Sequence, residues 1–252
     1  MQLADLNWPM VAALSKDTPV VFPIAALEQH GQHMPLFTDS MLLGEVVRRA
    51  SAELSAEILF APLMWLGNSQ HHLEFPGTLS AGPRTYLDML ADLLENFIMH
   101  GFRRLVLING HGGNIVPGAQ VVYEVRQRHR QRTDLLLLSA TYWTLGGKPY
   151  EAGSGFRQHR MGHACEWETS MMLRLAPHLV GGLENVQTVP FGTPFEPATR
   201  GWITKDRTSH GHIGESAAAT AEKGEVLFRV FSDDLVAFLR RVVAWDGKSW
   251  DG

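Results

Sequence analysis

Hydrophobic and polar positions alternate between two patterns along most of the chain. The first is a short apolar run, typical of a strand buried on both faces, and it occurs at Val20 to Leu27, Ile58 to Leu63, Leu105 to Ile108 and Leu135 to Ser139. The second is a helical period of apolar residues, and it occupies roughly 41–55, 84–100 and 115–130. This alternation predicts an α/β fold, a three-layer α/β/α sandwich with a mainly parallel central sheet.

The second half of the chain interrupts the alternation with two long segments rich in Gly, Pro, Thr and aromatic residues, Gly146 to Gly162 and Gly181 to Gly214. Long segments of this kind in a compact domain often cover an active site or form contacts. Helical spacing returns from Val226 to Val243. Because no internal repeat, low-complexity tract or linker separates these parts, we expect a single domain over residues 1–252.

The composition is that of an ordinary soluble globular protein, with 45% hydrophobic and 19% charged residues among 252. A net charge of −4 gives no broad cationic surface, so we expect a small-molecule partner and not a nucleic acid. Cys165 is the only cysteine, which excludes an intrachain disulfide and suits a reducing compartment. The amino terminus lacks a signal-peptide pattern, and no apolar run is long enough to cross a membrane. These features predict a cytoplasmic protein with no membrane partner.

Residue types that bind metals follow the first apolar run. Glu28 and His30 are two positions apart, so an extended backbone places both side chains on one face. The chain then supplies a second carboxylate at Asp39. Mixed histidine and carboxylate ligands suit Zn, Mn or Fe. Capping or hydrogen bonding at a strand end is the alternative role for each residue taken alone.

A histidine flanked by glycines follows the third apolar run. Residues Asn109 to Asn114 read Asn-Gly-His-Gly-Gly-Asn, and the glycines allow close backbone approach. Ligands of parallel sheets collect at the carboxyl ends of the strands. We therefore expect His111 to join Glu28, His30 and Asp39 at one edge of the sheet.

Five motifs spread along the chain carry a resemblance to a known family. They are Glu28 to Gly31 with Pro35-Leu36 and Thr38-Asp39, Phe75 to Thr78, Asn109 to Asn114, His163-Ala164 with Glu168 to Ser170, and Ala219 to Gly224. In residue type, order and spacing they resemble the creatininase (creatinine amidohydrolase) family. The resemblance implies a creatininase-like fold and a metal-dependent hydrolase of small molecules. It also implies a homo-oligomer, often a hexamer in that family.

The same resemblance implies a cofactor of two divalent metal ions, with Zn expected first and Mn or Fe as alternatives. The family's ligands fall at Glu28, His30, Asp39 and His111, and the counterpart of Asp39 bridges the two metals. Creatininase itself has a further glutamate two residues after the histidine of the glycine-rich motif, where this chain has Gly113. We therefore expect a replacement ligand from another part of the chain.

The predicted helix from Ala164 to Leu175 offers two candidate carboxylates for that replacement. Helical spacing places Glu168 within an apolar stripe, whereas Glu166 points to the opposite side. An ionised carboxylate facing the interior is costly unless it is paired or bound to a metal. We therefore expect Glu168 to complete the metal site, with a salt bridge to an arginine or a helix cap as its alternative role. Glu166 is expected to face solvent.

Further residues are expected around the substrate. His163 corresponds to the family's histidine near the substrate and is the expected general acid and base. Ser69 and the pair His71 and His72 align with a substrate-side loop of the family, and His33 is expected to orient a ligand. Trp143 is a candidate for the pocket wall, with core packing as its alternative role.

These features predict a hydrolase that cleaves an amide bond, of the cyclic amide or formamide type, in a small polar molecule by a metal-activated water. The resemblance also covers a peptidase of redox-cofactor maturation and a hydrolase that opens a keto-inositol ring. Carbon–carbon hydrolysis of a cyclic ketone is therefore one alternative, and a noncatalytic metal or small-ligand binding protein is another. Metal content without hydrolysis across a panel of amides, lactams and cyclic ketones would favour the binding protein.

Overall fold

Four parallel strands form the central sheet of the structure, a computed structural model that describes residues 1–152 and 155–250. The strands are β1 (Val20–Ile24), β2 (Leu59–Phe60), β3 (Arg104–Asn109) and β4 (Leu136–Thr141), and their order in the sheet is β2-β1-β3-β4. Positions 153, 154, 251 and 252 belong to the predicted loop 146–162 and the predicted domain 1–252, and they lie outside the described residues.

In the part of the chain that the structure describes, six α-helices lie around the sheet: α1 (Trp8–Ala13), α2 (Thr38–Leu54), α3 (Pro83–Met99), α4 (Ile115–Arg128), α5 (Glu166–Leu175) and α6 (Ala221–Ala244). Side chains alternate between the two faces of the strands, and β1, β2 and β3 are buried on both faces whereas β4 is mostly half-buried. Val106 and Ile108 of β3 pack with α2, α5 and α6, whereas Leu105 and Leu107 pack with α3 and α4. The predicted three-layer α/β/α sandwich with a parallel sheet is thereby confirmed.

Two element boundaries differ from the predictions in ways that affect the site. Strand β1 ends at Ile24 and not at Leu27, because the Ala25 N–H already donates to the Met64 carbonyl and the chain leaves the sheet. Helix α2 begins at Thr38, before the predicted start near residue 41. Asp39 therefore lies in the first turn of a helix.

The pairing of β1 with β3 brings the predicted metal-binding segments together. Ile24 is the register partner of Asn109, so both strands end at the same level of the sheet. The segments that carry Glu28 and His111 leave the sheet from these two ends. No helix in the described part of the chain is both long enough and apolar enough to cross a membrane.

Candidate metal centre

Four of the five predicted ligands converge at the carboxyl edge of the sheet, and the fifth lies beside them. His30 Nε2 is 3.0 Å from Asp39 Oδ1, and His111 Nδ1 is 2.9 Å from Asp39 Oδ2. Glu28 Oε1 is 3.2 Å from His111 Nδ1. Glu168 Oε1 lies 4.0 Å from His30 Nε2. All five side chains are buried, and together they form what we call the metal centre.

Backbone groups fix which nitrogen of each imidazole faces the carboxylates. His30 Nδ1 lies 3.0 Å from the Glu28 carbonyl and therefore donates to it. His111 Nε2 likewise donates to the Asn68 carbonyl at 3.1 Å. In its neutral form each ring then has an unprotonated nitrogen directed at the carboxylates, which is the arrangement of histidine ligands oriented by a carbonyl.

The turn that carries His111 is held by the Asn109 side chain. The Asn109 side chain accepts from the His111 N–H at 2.9 Å and donates to the His111 carbonyl at 2.8 Å. A second amide contact, from Asn109 Nδ2 to Thr141 Oγ1 at 3.0 Å, ties this loop to β4. The local sequence therefore explains why the histidine after β3 has a single orientation.

The donor set fits a divalent cation. Both Glu28 oxygens, Asp39 Oδ2 and Glu168 Oε2 are buried and accept no hydrogen bond. Buried carboxylates in this state are costly unless a positive charge compensates them. Ligand atoms around a tetrahedral ion with bonds of 2.0–2.1 Å are about 3.3 Å apart, close to the separations found here. Among the described residues, no Lys or Arg forms an ion pair with these three carboxylates.

The pKa shifts of the two histidines also indicate that the metal centre stabilises positive charge. Burial lowers the pKa of His30, but the carboxylates of Asp39, Glu168 and Glu28 outweigh burial and raise it to about 9. Burial also opposes ionisation of His111, yet Glu28 and Asp39 hold its pKa well above the usual range. A divalent cation would compete with protons for the same nitrogen atoms.

Glu168 differs from Glu28 because its surroundings oppose ionisation. Burial raises its pKa to about 7, and the nearby charges of Asp39 and Glu28 add to the effect, although His30 lowers it. Burial raises the pKa of Glu28 too, but His111, His72 and His163 reverse this and hold it well below the usual value. An ionised carboxylate at Glu168 is therefore disfavoured unless a cation lies beside it.

The prediction that Glu166 faces solvent is wrong, because this residue is fully buried. Its carboxylate pairs with Lys223 Nζ at 2.5 Å and accepts the backbone N–H groups of Arg157 and Gln158 at 2.9 and 2.8 Å. Helix α5 packs against α6 on one side and against the segment before it on the other, so it has no solvent-facing side in its first turns.

The loop around Gly113 leaves no room for the glutamate side chain that creatininase has at this position. A Cβ atom at this position would lie 2.1 Å from the Asn68 carbonyl oxygen and 2.5 Å from His111 Nε2. Real Cβ atoms do not approach backbone oxygens so closely. A ligand at position 113 is therefore incompatible with this loop, and the carboxylate beside His30 comes from α5.

His163 and His72 form a second layer of imidazoles above Glu28. His163 Nδ1 and His72 Nε2 lie 3.5 and 3.4 Å from Glu28 Oε1. The two rings stack with centroids 4.2 Å apart. Burial, and then the charges of His72 and His30, lower the pKa of His163 well below its usual value, so this ring is neutral.

Gln29, which the sequence interpretation missed, connects these two imidazoles. Its carbonyl accepts from His163 Nε2 at 2.8 Å, and its side-chain amide donates to His72 Nδ1 and to the Gly211 carbonyl, both at 2.8 Å. The alternation of an extended segment indicates that Gln29 faces away from Glu28 and His30, but it does not reveal what lies on that side.

The adjacent Ala164 has a backbone φ of 48°, a left-handed conformation that is unfavourable for a residue with a Cβ atom. Its carbonyl accepts a hydrogen bond from the Ser216 hydroxyl at 2.5 Å, and its side chain is fully buried. This turn joins His163 to the start of α5, so it sets the position of the imidazole relative to Glu168.

A cavity of about 830 Å³ opens above the metal centre. Its floor includes Glu28, Asp39, His111, His163 and Glu168, and we call this set the cavity floor. We call the following set, from the predicted covering segments, the cavity mouth: Arg160, Phe191, Arg200, Trp202 and Arg207. The expectation that these segments lie over the site agrees with their position in the structure.

The residues expected near the substrate occupy different positions around this cavity. His72 and Trp143 line it, and His71, which stacks on His111 with ring centroids 5.8 Å apart, lines it as well. Ser69 lies behind the His111 ring, with its Oγ 3.2 Å from Nε2, and is fully buried. His33 contacts the Thr169 hydroxyl at 3.0 Å, next to Glu168.

Comparison with known proteins identifies relatives along nearly the whole chain. A family model described as creatinine amidohydrolase matches residues 4–239. Creatinine amidohydrolase of Pseudomonas putida is 31% identical over 245 residues, covering 90% of this chain and 92% of that protein. Mycofactocin precursor peptide peptidase of Mycobacterium tuberculosis is 30% identical over 247 residues, covering 92% of this chain and 87% of the peptidase.

Solved structures agree in fold. A creatininase mutant of the Zn-Zn type and a creatininase described as the Mn form each superpose with a TM-score of 0.80 at 28% identity. Each alignment covers 95% of this chain and 97% of the other.

Proposed function

The chain belongs to the creatininase family of metal-dependent hydrolases, and from that premise we propose that it hydrolyses an amide bond, of the cyclic amide or formamide type, in a small polar molecule. The observation that carries the proposal is the metal centre itself. Three buried carboxylates and the His111 imidazole line a cavity large enough for a small substrate, and the His30 imidazole lies beside Asp39. Such a constellation suits hydrolysis assisted by metal ions.

We propose that the metal centre holds two divalent ions, with Zn ahead of Mn and Fe. Glu28, His111 and Asp39 would hold one ion, while His30, Glu168 and Asp39 would hold the other. The short distances from the two Asp39 oxygens to His30 and His111 support a bridging role for this carboxylate. When bound, such ions polarise a carbonyl and lower the pKa of water.

His163 is the proposed general acid and base. Its Nε2 donates to the Gln29 carbonyl, so the unprotonated Nδ1 faces the cavity floor. That nitrogen can take the proton released by water and deliver it to the leaving nitrogen of the amide. A proton transfer of this kind contributes on the order of 10² to 10⁴ in rate.

The proposed substrate contacts are His72 and Trp143 in the cavity lining, with Ser69 acting through the His111 ring. The collision at Gly113 argues against the ligand set expected of creatininase itself. We therefore propose a small amide other than creatinine as the substrate.

We further propose that residues 1–252 act as one domain, that the protein is cytoplasmic and that it forms a homo-oligomer, with a hexamer as the first candidate. The homo-oligomer is proposed from the resemblance to the creatininase family. The buried, unpaired Cys165 is compatible with a reducing compartment.

Metal analysis followed by an activity panel tests the proposed reaction. Purified protein, and metal-depleted protein reloaded with Zn, Mn or Fe, would be assayed on formamides, lactams, linear amides and cyclic ketones. We expect hydrolysis of at least one amide class by the loaded protein and none by the depleted protein. Hydrolysis confined to cyclic ketones, or metal binding without any hydrolysis, would overturn the proposal.

A further inference from the structure

Three arginines converge on the mouth of the cavity that leads to the metal centre. Arg160, Arg200 and Arg207 all line this cavity, although they are far apart in sequence. The whole chain carries a net charge of −4, so this concentration of guanidinium groups is a local feature. The cavity floor, at the buried side of the same cavity, carries acidic and imidazole side chains.

Among the described residues, one carboxylate, Glu196, lines the same part of the cavity, so the three guanidinium groups face a single opposing charge there. Arg160 Nη1 lies 3.9 Å from Glu196 Oε1, at the outer limit of an ion pair. In the described ranges, no carboxylate oxygen lies within 4.0 Å of the Arg200 or Arg207 guanidinium nitrogens. Burial and the neighbouring charge of Arg160 lower the pKa of Arg207, which is consistent with two guanidinium groups close together.

Neighbouring groups restrain two of these three side chains, Arg207 and Arg160. The guanidinium of Arg207 donates from Nη2 to the Pro190 carbonyl at 2.6 Å and lies 5.7 Å from the centre of the Trp202 ring. The guanidinium of Arg160 lies 5.1 Å from the centre of the Phe191 ring. Restrained guanidinium groups lose little freedom when they bind a planar or tetrahedral anion, because their donors are already arranged as a fork.

We propose that the substrate carries an anionic group, a carboxylate or a phosphate, at the end remote from the scissile amide, and that Arg160, Arg200 and Arg207 bind this group. The inference rests on the proposed function, since it assumes that the amide lies at the metal centre. A cavity of about 830 Å³ accommodates a molecule that spans floor and mouth. The anion would select the substrate and orient its amide toward His163.

Hydroxamate probes test this inference without knowledge of the substrate. One end of each probe is a hydroxamate, which binds divalent metal, and the other is a carboxylate, a phosphonate or a neutral carboxamide. Probes with two to four methylene groups cover the range of spacings. Affinity for the zinc-loaded protein would be measured by calorimetry at constant ionic strength for wild type, Arg200→Gln, Arg207→Gln and the double variant. The exposed Arg229 on α6 provides the matched control, Arg229→Gln.

We expect the best anionic probe to bind wild type at least about tenfold more tightly than the carboxamide of equal length, because a charge-assisted hydrogen bond contributes that much or more. The ratio should fall toward one in the double variant and stay unchanged in Arg229→Gln. The ratio also controls for disturbed folding, which would weaken the carboxamide equally. A larger advantage for the carboxylate or for the phosphonate identifies the anion.

Equal affinity of anionic and neutral probes for wild type, or an advantage that persists undiminished in the double variant, would overturn the inference while leaving the proposed function intact. Failure of every probe to bind zinc-loaded protein would contradict the metal centre and therefore the proposed function itself. The two failures are distinguishable because the hydroxamate end reports on the floor and the other end on the mouth.

Discussion

The floor and the mouth of the cavity are held in place in different ways. The floor residues Glu28 and His111 follow the ends of β1 and β3, and both are buried. The mouth residues come from segments without long helices or strands, and the Arg160 side chain is 56% exposed. The floor imidazoles of His111 and His163 are aligned by backbone carbonyls, whereas the mouth guanidiniums of Arg160 and Arg207 lie against aromatic rings.

This difference separates the chemistry of the cavity from its selectivity. A metal centre tolerates little displacement of its ligands, so it benefits from attachment to the sheet and to helix ends. Substrate contacts in loops can change without disturbing that framework. Variants of the floor should therefore affect metal content and turnover together, whereas variants of the mouth should affect substrate preference alone.

The largest effect is expected from Asp39→Ala, because both oxygens of this carboxylate lie beside imidazole ligands. We expect loss of both metal ions and a fall in kcat/KM well beyond the about 10–100-fold that removal of an outer hydrogen-bond partner costs. Elemental analysis and steady-state kinetics would measure the two quantities. Ser40→Ala, one residue away, is the control and should retain metal. Full occupancy by two ions in Asp39→Ala would exclude the bridging role.

Gly113→Glu tests whether the floor can accept the ligand that it lacks. The new Cβ would meet the Asn68 carbonyl at 2.1 Å, so we expect a loss of about 1–3 kcal/mol in stability and a reduced metal content. Gly112→Ala is the matched control, because a Cβ there meets nothing within 4 Å. Urea unfolding and elemental analysis distinguish the two variants. Normal stability with increased metal affinity in Gly113→Glu would show that our description of this loop is wrong.

Glu166→Gln should reduce stability without removing a metal ligand. The substitution leaves the buried Lys223 ammonium without its charged partner, at a cost of about 3 kcal/mol. Adding Lys223→Met should recover part of the loss, since replacing both members of a buried pair is often tolerated. Unfolding of metal-depleted protein measures the effect. Unchanged stability in Glu166→Gln would contradict a structural role for this ion pair.

Gln29→Ala should reduce kcat/KM by about 10–100-fold, the usual cost of removing an outer partner of a metal site. The amide holds the His72 ring and ties it to the Gly211 carbonyl. We expect the metal content and the unfolding midpoint to change little. If the loss of activity were instead proportional to a loss of bound metal, Gln29 would act on the metal centre and not on the second layer of imidazoles.

Sequence patterns predict the fold and family correctly because they rest on strong signals. The buried run before Asn109 identifies a parallel strand, and His111 follows it directly. The three-layer sandwich and membership of the creatininase family are both confirmed. The placement of Glu168 near His30 agrees with the apolar stripe of its helix, while its role as a ligand stays a prediction.

Other features depend on contacts between segments distant in sequence. A prediction from helical periodicity assumes that one side of the helix faces solvent. This assumption fails for Glu166, because Lys223, 57 positions later in the sequence, covers it. Separation in sequence also prevents prediction of two other contacts. They are the hydrogen bond between Gln29 and Gly211 and the approach of Arg160 to Arg207 at the cavity mouth. Loop residues have no periodic pattern from which such contacts can be predicted.

The most direct test of the account is the metal content of Glu168→Gln compared with wild type. The central claim is that a carboxylate from α5 completes a pair of metal sites at the sheet edge. Both proteins would be loaded with zinc, freed of excess metal and analysed for zinc per chain, with folding checked by circular dichroism. We predict two zinc ions per chain in wild type and one in Glu168→Gln, with turnover nearly abolished. Two tightly bound ions and normal activity in Glu168→Gln would contradict the claim.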